Sequence, residues 1–163
     1  MTPDISKTYP ISDRNRGKRL HERVSYDHES VHYLLDSLML AHVAYVIDGQ
    51  PYCTPTLHWR EGTRLYWHGS SASRMLRSQA QGVPVCVTVS NLDGLVMART
   101  GLNHSANYRS VMCFGTARHI EGDEKNNALT AMLDRYYPGR STILRPFHTQ
   151  DIKATKVIGM TID

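Results

Sequence analysis

The amino-acid sequence predicts an α+β fold made mainly of antiparallel β-strands. Six or seven short runs rich in β-branched and aromatic residues follow one another along the chain, and tight turns such as Asp48-Gly49 and Glu61-Gly62 separate the first of them. Two or three short helical segments lie between these runs. A sheet of this kind loses its exposed edges when it closes into a barrel, which is therefore the expected architecture.

Three segments have the spacing and end signals of helices. The first begins after Asp27, a good N-cap, and its apolar residues recur at intervals of three and four. A second, short helix is expected to begin after Ser73. A third runs from residue 123 to about residue 137, where Pro138-Gly139 ends it. The apolar stripe of the first helix consists of Val31, Leu34, Leu35 and Leu38.

The predicted strands occupy residues 41–47, 52–59, 64–68, 84–89, 95–98, 108–120 and 156–162. The run at 95–98 is the weakest of them, and residues 100–107 are polar and typical of a loop. Pro51 and Pro55 restrict the pairing of the second strand, so part of that strand is expected to be an edge or a bulge. Its unpaired backbone groups then need another partner, for which a planar heterocycle with donors and acceptors along one edge is suited.

Length and composition exclude several classes of protein. A chain of 163 residues is long enough for one domain with a core that needs no disulfides. With 40% hydrophobic and 21% charged residues it is neither a disordered chain nor a membrane protein, and no apolar run approaches the ~20 residues that span a bilayer. Residues 1–9 lack the hydrophobic stretch of a secretory signal, and the three cysteines have no C-x-x-C spacing, so a cytoplasmic protein with reduced thiols is expected.

The charge balance favours an anionic partner. Lysine and arginine number 19 against 15 acidic residues, which gives a net charge of +4 and suits a phosphorylated small molecule or a nucleic acid. Residues 1–25 hold many of the cations and are interpreted as a basic arm with little intrinsic structure, followed by a domain at 26–163. No aromatic residues alternate with the charges of this arm, so binding of nucleic acid is the less favoured interpretation.

The segment from His28 to His32 matches the H-E-x-x-H pattern of zinc metalloproteases. A zinc site of that type needs both histidines on a buried face of the helix. His28 lies in the first turn, and His32 points roughly 110° away from the apolar stripe at 100° per residue. We therefore interpret the two histidines as surface residues of a capped helix and predict no metal site.

Two neighbouring segments carry a more specific signal. A strand that ends in aromatic residues, at 65–68, leads through Gly69 and several serines to Ser73 and Arg74 at a helix start. A serine hydroxyl and an arginine at such a position are suited to a phosphate group, although serine is also favoured there simply as a cap. The strand at 52–59 lies one hairpin earlier and is expected to run beside the strand at 64–68.

These pieces, in their order and spacing, resemble the split-barrel flavin-binding proteins related to pyridoxamine 5′-phosphate oxidase. The chain is most similar to the branch that contains the Nim 5-nitroimidazole resistance proteins, from about Arg16 to Asp163. The residues that carry the resemblance are Tyr26-Asp27, Leu34-Leu35-Asp36, Asp48-Gly49-Gln50-Pro51-Tyr52 with Pro55, Leu65-Tyr66-Trp67-His68-Gly69, Ser73-Arg74, Asn107-Tyr108-Arg109-Ser110-Val111 with Gly115, and Glu124-Lys125 with Ala128-Leu129.

The resemblance implies a six-stranded antiparallel split barrel with two or three flanking helices. It also implies a homodimer that binds FMN, with FAD as the alternative, at the subunit interface. The residues implied in cofactor binding are Pro55, Thr56, Leu57 and His58 along the flavin ring, Trp67, His68 and Gly69 beside it, Ser73 and Arg74 at the phosphate, Arg109 as a further cation, and Ser110 from the partner subunit.

Three departures from the oxidase pattern limit what the resemblance implies. Met75 stands where the oxidase has a second phosphate-binding cation, and His58 stands where it has a lysine beside the ring. The oxidase's C-terminal arginine–histidine segment, which binds its substrate, has no match before Asp163. Oxidation of pyridoxamine phosphate itself is therefore not expected.

The resulting functional hypothesis is a flavin-dependent oxidoreductase, similar to a nitroreductase, that acts on a small planar substrate. His68 is the candidate proton donor, and protonated His58 or Arg109 would supply positive charge to the reduced ring. The sequence has no G-x-G-x-x-G fingerprint, so NAD(P)H would be a transient electron donor. The alternative hypothesis is a non-catalytic flavin- or haem-binding module that serves in storage or sensing.

Overall fold

Six antiparallel strands close into a barrel in the order β1-β2-β3-β6-β5-β4 in the computed structural model, which describes residues 7–163. The strands are β1 (Leu40–Ile47), β2 (Gln50–Glu61), β3 (Arg64–Ser70), β4 (Gln81–Val96), β5 (Ser105–Ile120) and β6 (Thr155–Thr161). Every neighbouring pair is antiparallel. The predicted α+β class and the six-stranded barrel are confirmed.

Within residues 7–163, four α-helices accompany the barrel. They are α1 (His28–Ser37), α2 (Arg74–Gln79), α3 (Gly122–Tyr136) and α4 (Thr149–Ala154). The first three are the predicted helices. The fourth has six residues, too few for the apolar periodicity on which the prediction depended. Short 3₁₀ turns lie at His21–Arg23, Gly101–Asn103 and Arg140–Thr142, and no helix within residues 7–163 is both long and apolar enough to cross a bilayer.

The prediction of a separate weak strand at 95–98 is wrong, and the loop predicted at 100–107 ends at residue 104, because β5 begins at Ser105. Strand β4 continues to Val96 and pairs with β5 as far as Ser105, so the two form one long hairpin. The register shifts between Leu92 and Gly94. A bulge at this point resets the alternation of inward and outward side chains, which made one strand look like two in the sequence.

The barrel interior holds the larger of two apolar clusters. Trp67, Leu65, Val43, Val87 and Ile158 are all fully buried there. The second cluster lies on the outside of the barrel beneath α3 and consists of Trp59, Tyr66, Ile120, Ala128, Leu129 and Val157. The chain therefore covers one outer face of its barrel with its own helix.

Part of the basic N-terminal segment packs against the domain. Tyr9 is buried, its backbone N–H donates to the Tyr26 carbonyl at 2.9 Å, and its hydroxyl lies 2.7 Å from Nε2 of His32. Burial raises the pKa of Tyr9 to about 12. The expectation of an arm with little structure therefore does not hold at Tyr9, whereas the domain boundary at residue 25 stays a prediction, and residues 1–6 lie outside the described part.

The two histidines of the H-E-x-x-H pattern stack on each other, with ring centroids 5.3 Å apart, and both rings contact Tyr9. They act as packing residues that join α1 to the N-terminal segment. Between residues 7 and 163 the structure holds no cluster of three or more side chains that could bind a metal ion.

Candidate functional site

Strands β2 and β3 separate at one point, which we call the fork. The two strands pair from Glu61 opposite Arg64 to His58 opposite Trp67, and the pairing stops there. Beyond the fork β2 continues to pair with β1, while its other side, along residues 50–57, pairs with no strand of the described chain. Pro51 and Pro55 lie in this half of the strand, which confirms the predicted edge. The edge leaves backbone donors and acceptors available to a ligand.

The residues predicted along the flavin ring converge on the fork. Beyond the last pair, His58 opposite Trp67, the next residues on the two strands are Leu57 and His68, which lie on the outer face of the barrel. Thr56 and Gly69 come after them and lie on the inner face. A Cβ atom at Gly69 would lie 3.0 Å from Cδ1 of Leu76, so glycine lets α2 pack closely against β3. The fork therefore carries one apolar side chain, one imidazole and one hydroxyl beside free backbone groups.

Arg74 reaches the same strand from α2. Its guanidinium lies over the ring of Tyr52, with 5.4 Å between the guanidinium carbon and the ring centroid. The side chain is exposed and forms no ion pair within residues 7–163. Tyr52 lies five residues before Leu57, which is ~17 Å along an extended strand. Arg74 and the fork therefore stand at the two ends of one free edge.

The two residues beside Arg74 in the sequence, Ser73 and Met75, have structural roles. Ser73 is the N-cap of α2, and its hydroxyl accepts a hydrogen bond from the Leu76 N–H at 3.4 Å. Met75 packs against the interior cluster. Arg74 is therefore the cation that this end of the edge offers to an anion.

His58 does not present its side chain to the free edge. It is buried, with Nδ1 at 3.2 Å from the Met39 carbonyl and Nε2 at 3.1 Å from the Leu35 carbonyl at the end of α1. Burial lowers its pKa, so the imidazole is neutral at neutral pH. A protonated His58 therefore does not supply the expected positive charge. Its backbone is engaged as well, because the His58 N–H donates to the Met39 carbonyl at 3.2 Å and the His58 carbonyl accepts from the Tyr136 hydroxyl.

His68 has a different environment. Its Nδ1 is buried and has no hydrogen-bond partner within the described chain, and its ring meets that of Trp59 edge-on at 5.8 Å between centroids. Burial lowers the pKa of His68. A neutral imidazole with an unsatisfied nitrogen at the fork is able to bind or move a proton.

Trp67 belongs to the core. The side chain is fully buried in the barrel, and its indole N–H donates to Oε1 of Gln79 at 2.8 Å. This hydrogen bond ties α2 to β3. Trp67 is therefore a core residue, whereas the resemblance implied a position beside the flavin ring.

Pro55 and Ser110 share one outer face of the barrel, which we call the open face. Pro55 is opposite His42, His42 is opposite Thr88, and Thr88 is opposite Met112, so that one row crosses β2, β1, β4 and β5. Ser110 is two residues from Met112 and points to the same side. Six large apolar side chains of this face are between 45% and 67% exposed, and no described helix covers them: Leu40, Val46, Leu57, Leu92, Tyr108 and Met112.

Arg109 points away from the open face. It forms a bidentate ion pair with Asp93 across the β4–β5 hairpin, with N–O distances of 3.0 and 2.8 Å. These hydrogen bonds raise the pKa of Arg109 and lower that of Asp93. Asp93 therefore neutralises the charge of Arg109 within the described chain.

A family model described as pyridoxamine 5′-phosphate oxidase matches residues 27–163. The chain belongs to this family. The flavocytochrome Anf3 from Azotobacter vinelandii is 45% identical over 93% of this chain and 71% of its own, with a TM-score of 0.86. The FAD and heme binding protein from Mycobacterium smegmatis is 40% identical over 84% of this chain and 67% of its own, with a TM-score of 0.81.

The predicted likeness to the nitroimidazole-resistance branch is confirmed at the level of the fold. A candidate 5-nitroimidazole antibiotic resistance protein from Bacteroides thetaiotaomicron matches 84% of this chain and 80% of its own, with 22% identity and a TM-score of 0.66. No curated protein matches the chain.

Sequence reasoning missed two residues that shape the site. Tyr52 supports Arg74, and Asp93 neutralises Arg109. Alternation along β2 places Tyr52 on the same side as Thr54 and Thr56, which is the signal that could have identified it. Asp93 sits at the bulge, where alternation fails, so the sequence held no comparable signal for it.

Proposed function

We propose that the protein binds a flavin nucleotide along the free edge of β2, with the ring at the fork and the phosphate at Arg74. The observation that carries this proposal is the exposed guanidinium of Arg74, which forms no ion pair within residues 7–163 and lies at one end of an edge that pairs with no strand of the described chain. Charge-assisted bonds from arginine to phosphate are strong and directional. The free edge suits the polar pyrimidine side of a flavin ring.

The relatives support this assignment. A protein 40% identical over 84% of this chain is named as binding FAD and haem, and one 45% identical over 93% of it is named a flavocytochrome. Met75 leaves one arginine where two cations would hold a terminal phosphate more firmly, so FAD is a strong candidate beside FMN.

The open face supports a homodimer. It carries six exposed, large apolar side chains together with Pro55 and Ser110. Exposed apolar areas of this kind are typical of interfaces, and a second copy would cover them while it brings its own Ser110 towards the fork. The flavin would then lie between the two subunits.

A catalytic role as an oxidoreductase fits the fork. The flavin supplies the redox chemistry when it is bound. His68 holds or moves a proton there, because its imidazole is neutral and one nitrogen lacks a partner among the described residues. NAD(P)H is the proposed transient donor, and a small planar acceptor such as a nitroaromatic is the proposed substrate.

The alternative is a module that binds flavin or haem without turnover. The names of the two relatives, which join flavin and haem, favour this second function. A purified protein that carries either cofactor but reduces no acceptor across a panel of donors would support it.

One experiment tests the proposed function. We expect the purified chain to show flavin absorption near ~450 nm, and chromatography of the ligand released on denaturation identifies FMN or FAD. Steady-state reduction of nitroaromatics by NAD(P)H then separates an enzyme from a module. A colourless protein that takes up neither flavin would contradict the proposal.

A further inference from the structure

Helix α2 is attached firmly to the barrel, which fixes the backbone of Arg74. The indole N–H of Trp67 donates to Oε1 of Gln79 at 2.8 Å, and Leu76 is buried in the interior cluster. The side chain of Arg74 is exposed and has several rotatable bonds. Its root is therefore fixed by the fold, and the position of its guanidinium depends on what that group contacts.

The ring that the guanidinium contacts has a support of its own. Tyr52 of β2 is directly opposite Tyr45 of β1, and their rings stack with 5.5 Å between centroids and 15° between planes. Tyr45 is buried in the interior cluster, and its hydroxyl lies 3.0 Å from Oγ1 of Thr54. Directly opposite aromatic side chains stabilise each other in antiparallel sheets. A buried tyrosine therefore holds the half-buried Tyr52 ring in place.

Contact with an aromatic ring leaves an arginine able to bind an anion. The guanidinium carbon of Arg74 lies 5.4 Å from the centroid of Tyr52, within the ~6 Å at which a ring face attracts a cation. A guanidinium is planar and its five N–H donors lie in that plane, so stacking through its face keeps the donors available. Arg109 shows the contrast, because its charge and its donors are taken up by Asp93.

We propose that Tyr52 is a positioning residue that presents Arg74 to the phosphate of the flavin nucleotide, with Tyr45 holding the Tyr52 ring. The inference rests on the proposed function and adds a residue that determines how well the phosphate is bound. An arginine loses side-chain freedom when it binds a ligand, and one that already lies on a ring loses less of it. The ring of Tyr52, and not its hydroxyl, provides this effect.

Isothermal titration of the full chain with FMN and with riboflavin tests the proposal, because the ratio of the two affinities isolates the phosphate. We expect Tyr52→Leu to lower the FMN-to-riboflavin ratio ~2–10-fold and Tyr52→Phe, which keeps the ring, to retain it. Tyr33→Leu, at an exposed position of α1, is the matched control and should leave the ratio unchanged. If Tyr52→Leu does not fold, Tyr52→Met removes the ring while it keeps an unbranched apolar side chain.

A double-mutant cycle separates positioning of Arg74 from a general effect on strand β2. In the Arg74→Ala background, Tyr52→Leu should cause no further fall in the ratio, because the cation that the ring positions is gone. The same fall in both backgrounds would show that the two side chains act independently and would overturn the proposal. An equal loss of affinity for FMN and riboflavin in Tyr52→Leu would also overturn it, since that result indicates a structural role alone.

The outcomes also separate this inference from the proposed function on which it rests. A wild-type chain that binds neither FMN nor riboflavin would contradict the proposed function itself, and the inference with it. A wild-type chain that prefers FMN, loses this preference in Arg74→Ala and keeps it in Tyr52→Leu would overturn only the inference and leave the phosphate at Arg74.

Discussion

The barrel has two outer faces that differ in what covers them. Beneath α3, Trp59, Tyr66 and Ile120 are at most 3% exposed. On the open face, Leu57, Leu92 and Met112 are between 45% and 63% exposed. Both faces are apolar, and β2 and β5 contribute to each of them, so the difference lies in the covering element. The chain covers one face with its own helix, and the other is the face that we propose for a second copy and a ligand.

The covered face should carry the largest effect on stability. Ile120→Ala removes a buried side chain between β5 and α3, and we expect it to lower the free energy of unfolding by ~2–5 kcal/mol. Urea denaturation at several protein concentrations measures it. The loss should not depend on protein concentration, because no second copy takes part. If Ile120→Ala does not fold, Ile120→Val should still cost ~0.5–1.5 kcal/mol.

The open face should instead control assembly. Met112→Arg places a charge where an apolar partner surface is proposed. We therefore expect the dissociation constant of the dimer to rise at least ~10-fold while the circular dichroism spectrum stays the same. Sedimentation velocity over a concentration series measures it. Asn127→Arg, exposed on α3 and away from the open face, is the control. A dimer of unchanged affinity in Met112→Arg would exclude this face as the interface.

The pH dependence of stability distinguishes the interior from both faces. His58 is buried and its pKa is lowered, so the unfolded chain binds a proton more readily than the folded chain below about pH 6.5. The stabilisation by neutral His58 is thus complete above that pH and is lost as the pH falls towards the folded pKa. We expect a steeper loss between pH 7 and pH 5 in the wild type than in His58→Asn. Equal slopes in urea denaturation would contradict the neutral, buried state.

The smallest effect is expected at Arg109. The ion pair between Arg109 and Asp93 is exposed on the β4–β5 hairpin, and exposed pairs contribute little to stability. Arg109→Gln should leave the melting temperature and the flavin affinity close to those of the wild type. A clear loss of flavin affinity would show that the partner's hairpin delivers this arginine to the site.

Most of the fold could be predicted because local signals and tertiary structure agree. The Asp27 cap, the Asp48-Gly49 turn and the prolines of β2 each act over a few residues, and all three proved correct. The bulge near Asp93 and the short helix α4 were missed, because a register shift and a six-residue helix leave no periodic pattern in the sequence.

The site was only partly predictable for a different reason. The sequence could indicate that Ser73 and Arg74 begin a helix and that β2 has a free edge. It could not show that the His58 ring turns inward to α1, or that Asp93 neutralises Arg109, because both depend on contacts between residues 16 to 23 positions apart. Side-chain direction at the end of a paired segment is set by packing and not by local pattern.

The most direct test of the flavin site compares FMN and riboflavin, which differ by one phosphate. Isothermal titration of the wild type, Arg74→Ala and the control Arg77→Ala measures both affinities. We expect Arg74→Ala to weaken FMN binding by ~10–150-fold, corresponding to ~1.5–3 kcal/mol for a charge-assisted bond, and to leave riboflavin affinity unchanged. Unchanged FMN affinity in Arg74→Ala, or an equal loss for both ligands, would contradict the placement of the phosphate at Arg74.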